Sequence, residues 1–282
     1  MVATGLPIMS PAISAAMAVL PATARAAPAA HRHWVGQALG ARTSIRLDHP
    51  EAEAITGRVL AEIDRLEAIL SLYRDTSALF RLNRQGRLEA PPFELLDCLS
   101  LAGAVHHASG GRFDPTVQPL WTLWAEAATA GRRPDAQAIE AALRRTGWTR
   151  ATLDEAAIAL EPGMALTLNG IGQGYVADRI AALLEAEGLT DILIDTGEFR
   201  AIGGRPEGGG WPVALPDGKK LPLRQRALAT SAPLGTTFDQ GGRDGHILDP
   251  ETGMPARSQW RSVSISAPSA AIADALATAA CL

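Results

Sequence analysis

A glycine-rich stretch, residues 167–175, is the feature that most restricts how this chain can fold. It reads Thr-Leu-Asn-Gly-Ile-Gly-Gln-Gly-Tyr and follows an apolar run at 165–168. Apolar residues then recur at helical spacing, which predicts an amphipathic helix opening at the glycines. Such a turn exposes backbone N–H groups and the positive end of the helix dipole, and both suit a phosphate. Close packing of a strand-to-helix turn is the alternative explanation for the glycines.

Composition limits the class of protein. The chain has 282 residues, of which 47% are hydrophobic and 20% charged, as in a soluble globular protein of one domain or two closely joined ones. A net charge of −4 and the lack of a basic run argue against a nucleic-acid surface. The two cysteines, Cys98 and Cys281, lie far apart, so we expect no disulfide framework.

The first 30 residues differ in composition from the rest. They are rich in Ala and Pro, with an apolar run at 13–20 and an Ala-Arg-Ala cleavage pattern at 24–26. We therefore expect an export leader at 1–30 and a mature domain at 31–282, although no Lys or Arg precedes Arg25. The run is too short and too interrupted by proline to span a membrane, so we do not expect an integral membrane protein.

The remaining patterns predict a mixed α and β chain without internal repeats, that is, an α+β fold. Helical spacing occurs at 51–72, 92–107, 135–146 and 270–280, and Asp75 or Thr76 could cap a further short helix. Predicted strands lie at 34–47, 191–195, 211–215, 226–231 and 263–266, with a hairpin at 151–160. His246 is expected in a strand that ends in a proline–glycine turn, where Asp249 and Thr252 fix their own turn.

Asp274 and Thr278 are four residues apart in the last predicted helix. They therefore share one helical face, where a carboxylate and a hydroxyl oxygen can converge on one hard cation. Few protein oxygens together with substrate phosphate and water suit Mg²⁺. The alternative is that Asp274 is a charge at the helix start and Thr278 a solvent-facing or back-bonded hydroxyl.

Read together, several motifs resemble the FAD:protein FMN transferase family, the ApbE-like flavin transferases. They occur in order along nearly the whole mature chain: Ser71-x-Tyr73, Gly111-x-Phe113-Asp114-x-Thr116, the glycine turn, Gly197-Glu198, Ala229-Thr230-Ser231, His246-Ile247-x-Asp249-Pro250-x-Thr252-Gly253 and Asp274-x-x-x-Thr278. The resemblance implies a T-fold-like α+β architecture with an FAD cleft and Mg²⁺ on the pyrophosphate. It also implies transfer of FMN from FAD to a Ser or Thr hydroxyl of an acceptor flavoprotein, with release of AMP.

The resemblance also implies roles for individual residues. His246 would take the acceptor proton, unless it is merely a strand-end histidine satisfied by the backbone. Asp274, Thr278 and the carbonyl of Gly170 would hold the metal. The implied FAD contacts are Leu39, Tyr73, Arg112, Phe113, Asp114, Thr167, Gln173 and Ile247. Tyr73 could instead be a core aromatic.

The glycine turn departs from the common family pattern Asp-Leu-Gly-Gly-Ile-Ala-Lys-Gly, because a carboxylate and a lysine are replaced by Thr167 and Gln173. This version resembles the branch linked to nitrous-oxide reduction (NosX-like), which is exported to the periplasm and serves a membrane-anchored flavoprotein. Family members usually continue beyond the last helix, so we expect a shortened C-terminus. Family acceptors resemble Asp-Gly-x-Ser/Thr-Gly-Ala-Thr. An FAD pyrophosphatase that yields FMN and AMP, and a non-catalytic FAD-binding protein, are the alternatives.

Overall fold

The computed structural model describes residues 31–38, 41–49 and 51–282. The predicted leader and Leu39 lie outside these residues. The strands are β1 His31–Ala38, β2 Ala41–Asp48, β3 Arg87–Glu89, β4 Thr152–Leu153, β5 Ala157–Ala159, β6 Ile192–Asp195, β7 Phe199–Ile202, β8 Trp211–Ala214, β9 Lys220–Leu223, β10 Ala227–Ser231 and β11 Val263–Ala267. The helices are α1 Ala52–Leu70, α2 Ala78–Gln85, α3 Phe93–Ala108, α4 Gln118–Thr129, α5 Ala136–Leu143, α6 Gly172–Ala186 and α7 Ala270–Ala279.

A six-stranded antiparallel sheet organises the fold, in the order β1-β2-β6-β7-β10-β11. Helices α1, α3 and α6 contribute buried residues to one large core, with Val59, Leu99 and Ile180 at 0% exposure. Smaller sheets pair β3-β5-β4 and β8-β9. Helices and antiparallel sheet in one core confirm the predicted α+β class.

Helix α7 lies unusually close to its neighbours because its packing face is built from alanine. Ala270, Ala273 and Ala277 pack with Ala177 of α6 and with Ala227 and Ala229 of β10. Small side chains let helix and strand backbones approach closely, so polar groups on α7 come near the backbone of α6 and β10. This packing buries Asp274 and leaves Thr278 half-buried.

Most predicted elements are confirmed, and four details are corrected. The single strand predicted at 34–47 is two paired antiparallel strands, β1 and β2, with Ala38 opposite Ala41, because the alternation runs through both strands and does not show where the chain reverses. Helix α2 is capped by Ser77 rather than Asp75 or Thr76, since the Ser77 hydroxyl accepts the N–H of Phe80 at 3.0 Å. The apolar run before the glycine turn is irregular rather than a strand. The His246 segment forms only isolated bridges, at Gly245 and Leu248.

Two further observations concern cysteine and the membrane. Cys98 and Cys281 are both buried free thiols, and burial raises the pKa of each thiol. Within the described part of the chain, no helix combines the length and the apolar character needed to cross a bilayer.

Candidate functional site

The start of α6 crosses the start of α7 at Gly174. The N–H of Gly174 donates to Oδ2 of Asp274 at 3.3 Å. A Cβ on Gly174 would lie 2.3 Å from the carbonyl oxygen of Ala270. Because any other residue would collide with backbone, glycine at this position is what allows the contact between the turn and Asp274.

The predicted metal residues come together at this crossing. Asp274 is buried, and Thr278 lies one helical turn further along α7. A Cβ on Gly170 would lie 3.1 Å from Oγ1 of Thr278 and 3.2 Å from Cε2 of Phe113. The hydroxyl of Ser231 on β10 lies 3.3 Å from the Thr278 hydroxyl. The structure therefore brings Gly170, Asp274 and Thr278 to one place, with Phe113 and Ser231 beside them.

Two carboxyl groups are buried here. Burial raises the pKa of Asp274 to about 7. Burial and the nearby charge of Asp274 also raise the pKa of Glu198 well above its ordinary value. Glu198 belongs to the Gly197-Glu198 motif, but its place in the site was not predicted from the sequence. The signal that could have found it is an acidic residue after a glycine at a turn between two apolar strands.

A divalent cation fits these groups. Two buried carboxyl groups are costly without a positive partner, and carboxylate, hydroxyl and carbonyl oxygens are the donors that Mg²⁺ prefers. Among the described residues there is no cluster of three or more His, Cys, Asp or Glu side chains that could hold a metal. The arrangement therefore suits an ion that keeps water and phosphate ligands, as Mg²⁺ does. The metal assignment itself stays a prediction.

The glycine turn offers fewer free N–H groups than its sequence suggests. The N–H groups of Ile171 and Gly172 donate to the carbonyl of Leu168. Those of Asn169, Gly174 and Tyr175 are also bonded within the chain. The N–H groups of Leu168, Gly170 and Gln173 remain without a partner among the described residues of this turn. A phosphate here would rely on at most these three groups and on a cation, not on an open row of amides.

His246 has one nitrogen engaged and one available. Its Nδ1 lies 3.1 Å from the carbonyl oxygen of Thr236. Because a carbonyl only accepts, Nδ1 carries the proton in the neutral ring, and Nε2 is left as an acceptor. Burial lowers the pKa of His246 from its ordinary value of 6.5, although the hydrogen bond to Thr236 opposes this. The ring is therefore neutral at pH 7, the state that a general base requires.

The segment 112–117, predicted to contact the nucleotide, is held by its own side chains. Oδ1 of Asp114 accepts the N–H of Thr116 at 2.8 Å, and Oδ2 accepts the N–H of Trp148 at 3.2 Å. The buried carboxylate therefore has a structural role, and its predicted FAD contact stays a prediction. Nδ1 of His106 lies 2.9 Å from the carbonyl oxygen of Phe113, which helps to hold the Phe113 ring beside Gly170.

The other predicted FAD contacts lie on several different segments and differ in exposure. The N–H of Thr167 donates to the Pro115 carbonyl at 2.8 Å, which ties the glycine turn to the 112–117 segment. Gln173 is half-buried and Ile247 is buried, whereas Arg112 is exposed. Tyr73 is 69% exposed, so the alternative of a core aromatic is wrong. The expectation that Asp249 and Thr252 fix their own turn is confirmed by their 3.0 Å hydrogen bond.

The predicted FAD cleft does not coincide with either of the two best-formed cavities of the described chain. The two best-formed cavities of the described chain, of about 320 and 350 Å³, share the lining residues 254–257. None of the predicted site residues lines them. The site is therefore identified by the convergence of Gly170, Asp274 and Thr278 rather than by an enclosed volume.

Several known proteins are similar to this chain in sequence. The sequence profile of the ApbE family matches residues 39–282. An FAD:protein FMN transferase of Klebsiella pneumoniae is 31% identical over 249 residues, which cover 82% of this chain and 71% of that protein. One from Treponema pallidum is 33% identical over 258 residues, covering 81% and 71%.

Solved structures are also similar. Apo flavinyl transferase ApbE from Pseudomonas stutzeri superposes with a TM-score of 0.78 at 29% identity, covering 88% of this chain and 83% of that one. Flavin transferase ApbE from Vibrio cholerae gives 0.76 at 25% identity, covering 89% and 86%. These names confirm the predicted resemblance to a transferase family, while the NosX-like branch stays a prediction. The chain belongs to the ApbE family.

Proposed function

We propose that this protein is an FAD:protein FMN transferase that moves FMN from FAD to a Ser or Thr hydroxyl of an acceptor flavoprotein and releases AMP, in a Mg²⁺-dependent reaction. The observation that carries the proposal is the meeting of Gly170, Thr278 and buried Asp274 at the glycine turn. The relatives of this chain are named for the same activity.

The residues divide the chemistry between them. Asp274, Thr278 and the carbonyl of Gly170 would hold Mg²⁺, which when bound neutralises negative charge on the phosphoryl oxygens. The N–H groups of Gly170 and Gln173 are available to the pyrophosphate. Nε2 of His246 takes the proton of the acceptor hydroxyl. The acceptor oxygen then forms a bond to the FMN phosphorus, the pyrophosphate bond breaks, and AMP leaves.

One assay separates this function from its alternatives. The full chain is incubated with FAD and Mg²⁺, with and without an acceptor that carries Asp-Gly-x-Ser/Thr-Gly-Ala-Thr. AMP release together with a fluorescent acceptor in the gel supports the transferase. AMP with free FMN and no labelled acceptor would identify an FAD pyrophosphatase. Bound FAD without AMP would identify a binding protein and overturn the proposal.

We also propose export to the periplasm and an acceptor of the kind that the NosX-like branch serves. The composition of residues 1–30 and the Leu-Asn-Gly-Ile-x-Gln-Gly-Tyr turn support this. Cell fractionation tests the location. Labelling of a membrane-anchored flavoprotein of nitrous-oxide reduction, in preference to other acceptors, tests the partner.

The pH dependence of kcat/KM should reflect the protonation of His246. Because burial lowers the pKa of its ring, the neutral base persists to lower pH, and kcat/KM should fall only as pH decreases through a value below about 6.5. His246→Ala should lower the rate by about 10²- to 10⁴-fold and remove this limb. The profile is measured at saturating Mg²⁺, with His107→Gln on the exposed end of α3 as the control. If His246→Ala showed the same decrease in kcat/KM at low pH, the role of His246 as the general base would be contradicted.

A further inference from the structure

The turn between β6 and β7 is held firmly against the candidate site. The buried Thr196 hydroxyl donates to the carbonyl of Gln173 at 3.3 Å, which joins the turn to the start of α6. Two residues later, Oε2 of Glu198 accepts the N–H of Thr230 on β10 at 3.1 Å. Glu198 is only 8% exposed. Its carboxyl group therefore has a fixed position between α6 and β10.

That position is next to the predicted metal residues. Thr230 is followed by Ser231, whose hydroxyl lies 3.3 Å from that of Thr278. After burial, the negative charge of Asp274 is the next cause of the raised pKa of Glu198. The N–H of Thr230 thus fixes one oxygen of Glu198, and the N–H of Gly174 fixes one oxygen of Asp274. Glu198 is therefore bonded to the residue that precedes Ser231, and Ser231 contacts Thr278, one helical turn along α7 from Asp274.

Nothing in the described part of the chain neutralises this pair. Neither carboxyl group has an ion pair there, and neither experiences a stabilising charge from Lys or Arg. The common family lysine of the glycine turn is Gln173 in this chain. Oε1 of Glu198 and Oδ1 of Asp274 accept no hydrogen bond from described residues. Neither oxygen is among the side-chain atoms that are both completely buried and without a hydrogen-bond partner. Both oxygens are therefore open to an additional partner.

We propose that Glu198 is a positioning residue for the metal: its buried carboxylate supplies the second negative charge beside Asp274 and so sets the affinity of the site for a divalent cation. Groups beyond the direct ligands commonly tune metal affinity in this way, by 10- to 100-fold. The inference rests on the proposed function, because that function supplies the reason for taking Mg²⁺ as the cation. It adds a residue outside the predicted ligand set of Asp274, Thr278 and Gly170.

The test measures Mg²⁺ binding rather than catalysis. The full chain without FAD is titrated with Mg²⁺ by calorimetry, and the Mg²⁺-induced rise in Tm is recorded in parallel. Glu198→Gln keeps an acceptor for Thr230 and nearly the same volume but removes the charge, and it should raise the Kd for Mg²⁺ at least tenfold. Glu155→Gln makes the same charge change at an exposed position and should leave Kd within twofold.

A second variant separates charge from packing. Glu198→Asp keeps the carboxylate and should retain most of the Mg²⁺ affinity. Equal losses in Glu198→Asp and Glu198→Gln would overturn the inference, as would a Kd within twofold of wild type in Glu198→Gln or no Mg²⁺ binding by the wild-type chain. If wild type binds Mg²⁺ with the expected pattern but transfers no FMN, the proposed function fails and the role of Glu198 stands.

Discussion

Asp274→Asn is expected to lower Mg²⁺-dependent FMN transfer by at least about a thousandfold. A bound metal contributes several kcal/mol of transition-state charge stabilisation, and a thousandfold corresponds to about 4 kcal/mol. Asn keeps the size of the side chain and an acceptor for the N–H of Gly174, but it removes the carboxylate that faces Thr278 and Gly170. AMP release and labelling of the acceptor at saturating FAD provide the measurement.

Two controls show that such a loss concerns the metal and not folding. Asp64→Asn removes a carboxylate that is 74% exposed on α1 and should leave transfer unchanged. Burial raises the pKa of Asp274 from its ordinary value of 3.8 to about 7, so the metal-free protein loses stability as pH rises between these two values, and the loss is complete above pH 7. Metal-free Asp274→Asn should therefore melt at or above the wild-type Tm at pH 8. Retention of more than a tenth of the activity would show that the metal assignment is wrong.

Gly174→Ala is expected to give a large loss of stability, with a decrease in the free energy of unfolding of about 3 kcal/mol. The added Cβ would lie 2.3 Å from the oxygen and 2.5 Å from the carbonyl carbon of Ala270. Both atoms belong to the backbone, so no side-chain rotation relieves the contact and α6 must move away from α7. Urea unfolding monitored by circular dichroism measures the change.

Gly57→Ala is the matched control for this substitution. Gly57 lies inside α1, and a Cβ there would meet nothing within 4 Å. Alanine is favoured over glycine in a helix interior, so this variant should be more stable by about 0.5–1 kcal/mol. If both variants changed stability in the same direction, the close crossing of α6 and α7 at Gly174 would be contradicted.

Local pattern was sufficient for much of the fold. Helices α1 and α3 follow from apolar residues at helical spacing, and the β4–β5 hairpin from two short apolar runs around a turn. The sequence pattern was insufficient to predict the structure where one specific contact between two residues decided it. Ser77 caps α2 because its hydroxyl reaches the N–H of Phe80. Asp75 and Thr76 also carry side-chain oxygens suited to a cap, but they do not occupy the capping position. The alternation across 34–47 likewise concealed the reversal between β1 and β2.

The candidate site divides in the same way. The sequence by itself determined that Asp274 and Thr278 share a helical face, because a spacing of four residues places side chains one above the other on any α-helix. It also determined that a glycine turn opens α6. Only the tertiary structure decided that Gly174 donates to Asp274, which lies 100 residues away, and that most amides of the turn are already bonded. It also decided that Glu198 is buried against Thr230, next to Ser231 and its contact with Thr278. These contacts depend on how closely alanine-faced α7 packs against α6 and β10, and such packing between distant segments leaves no periodic signal in the sequence.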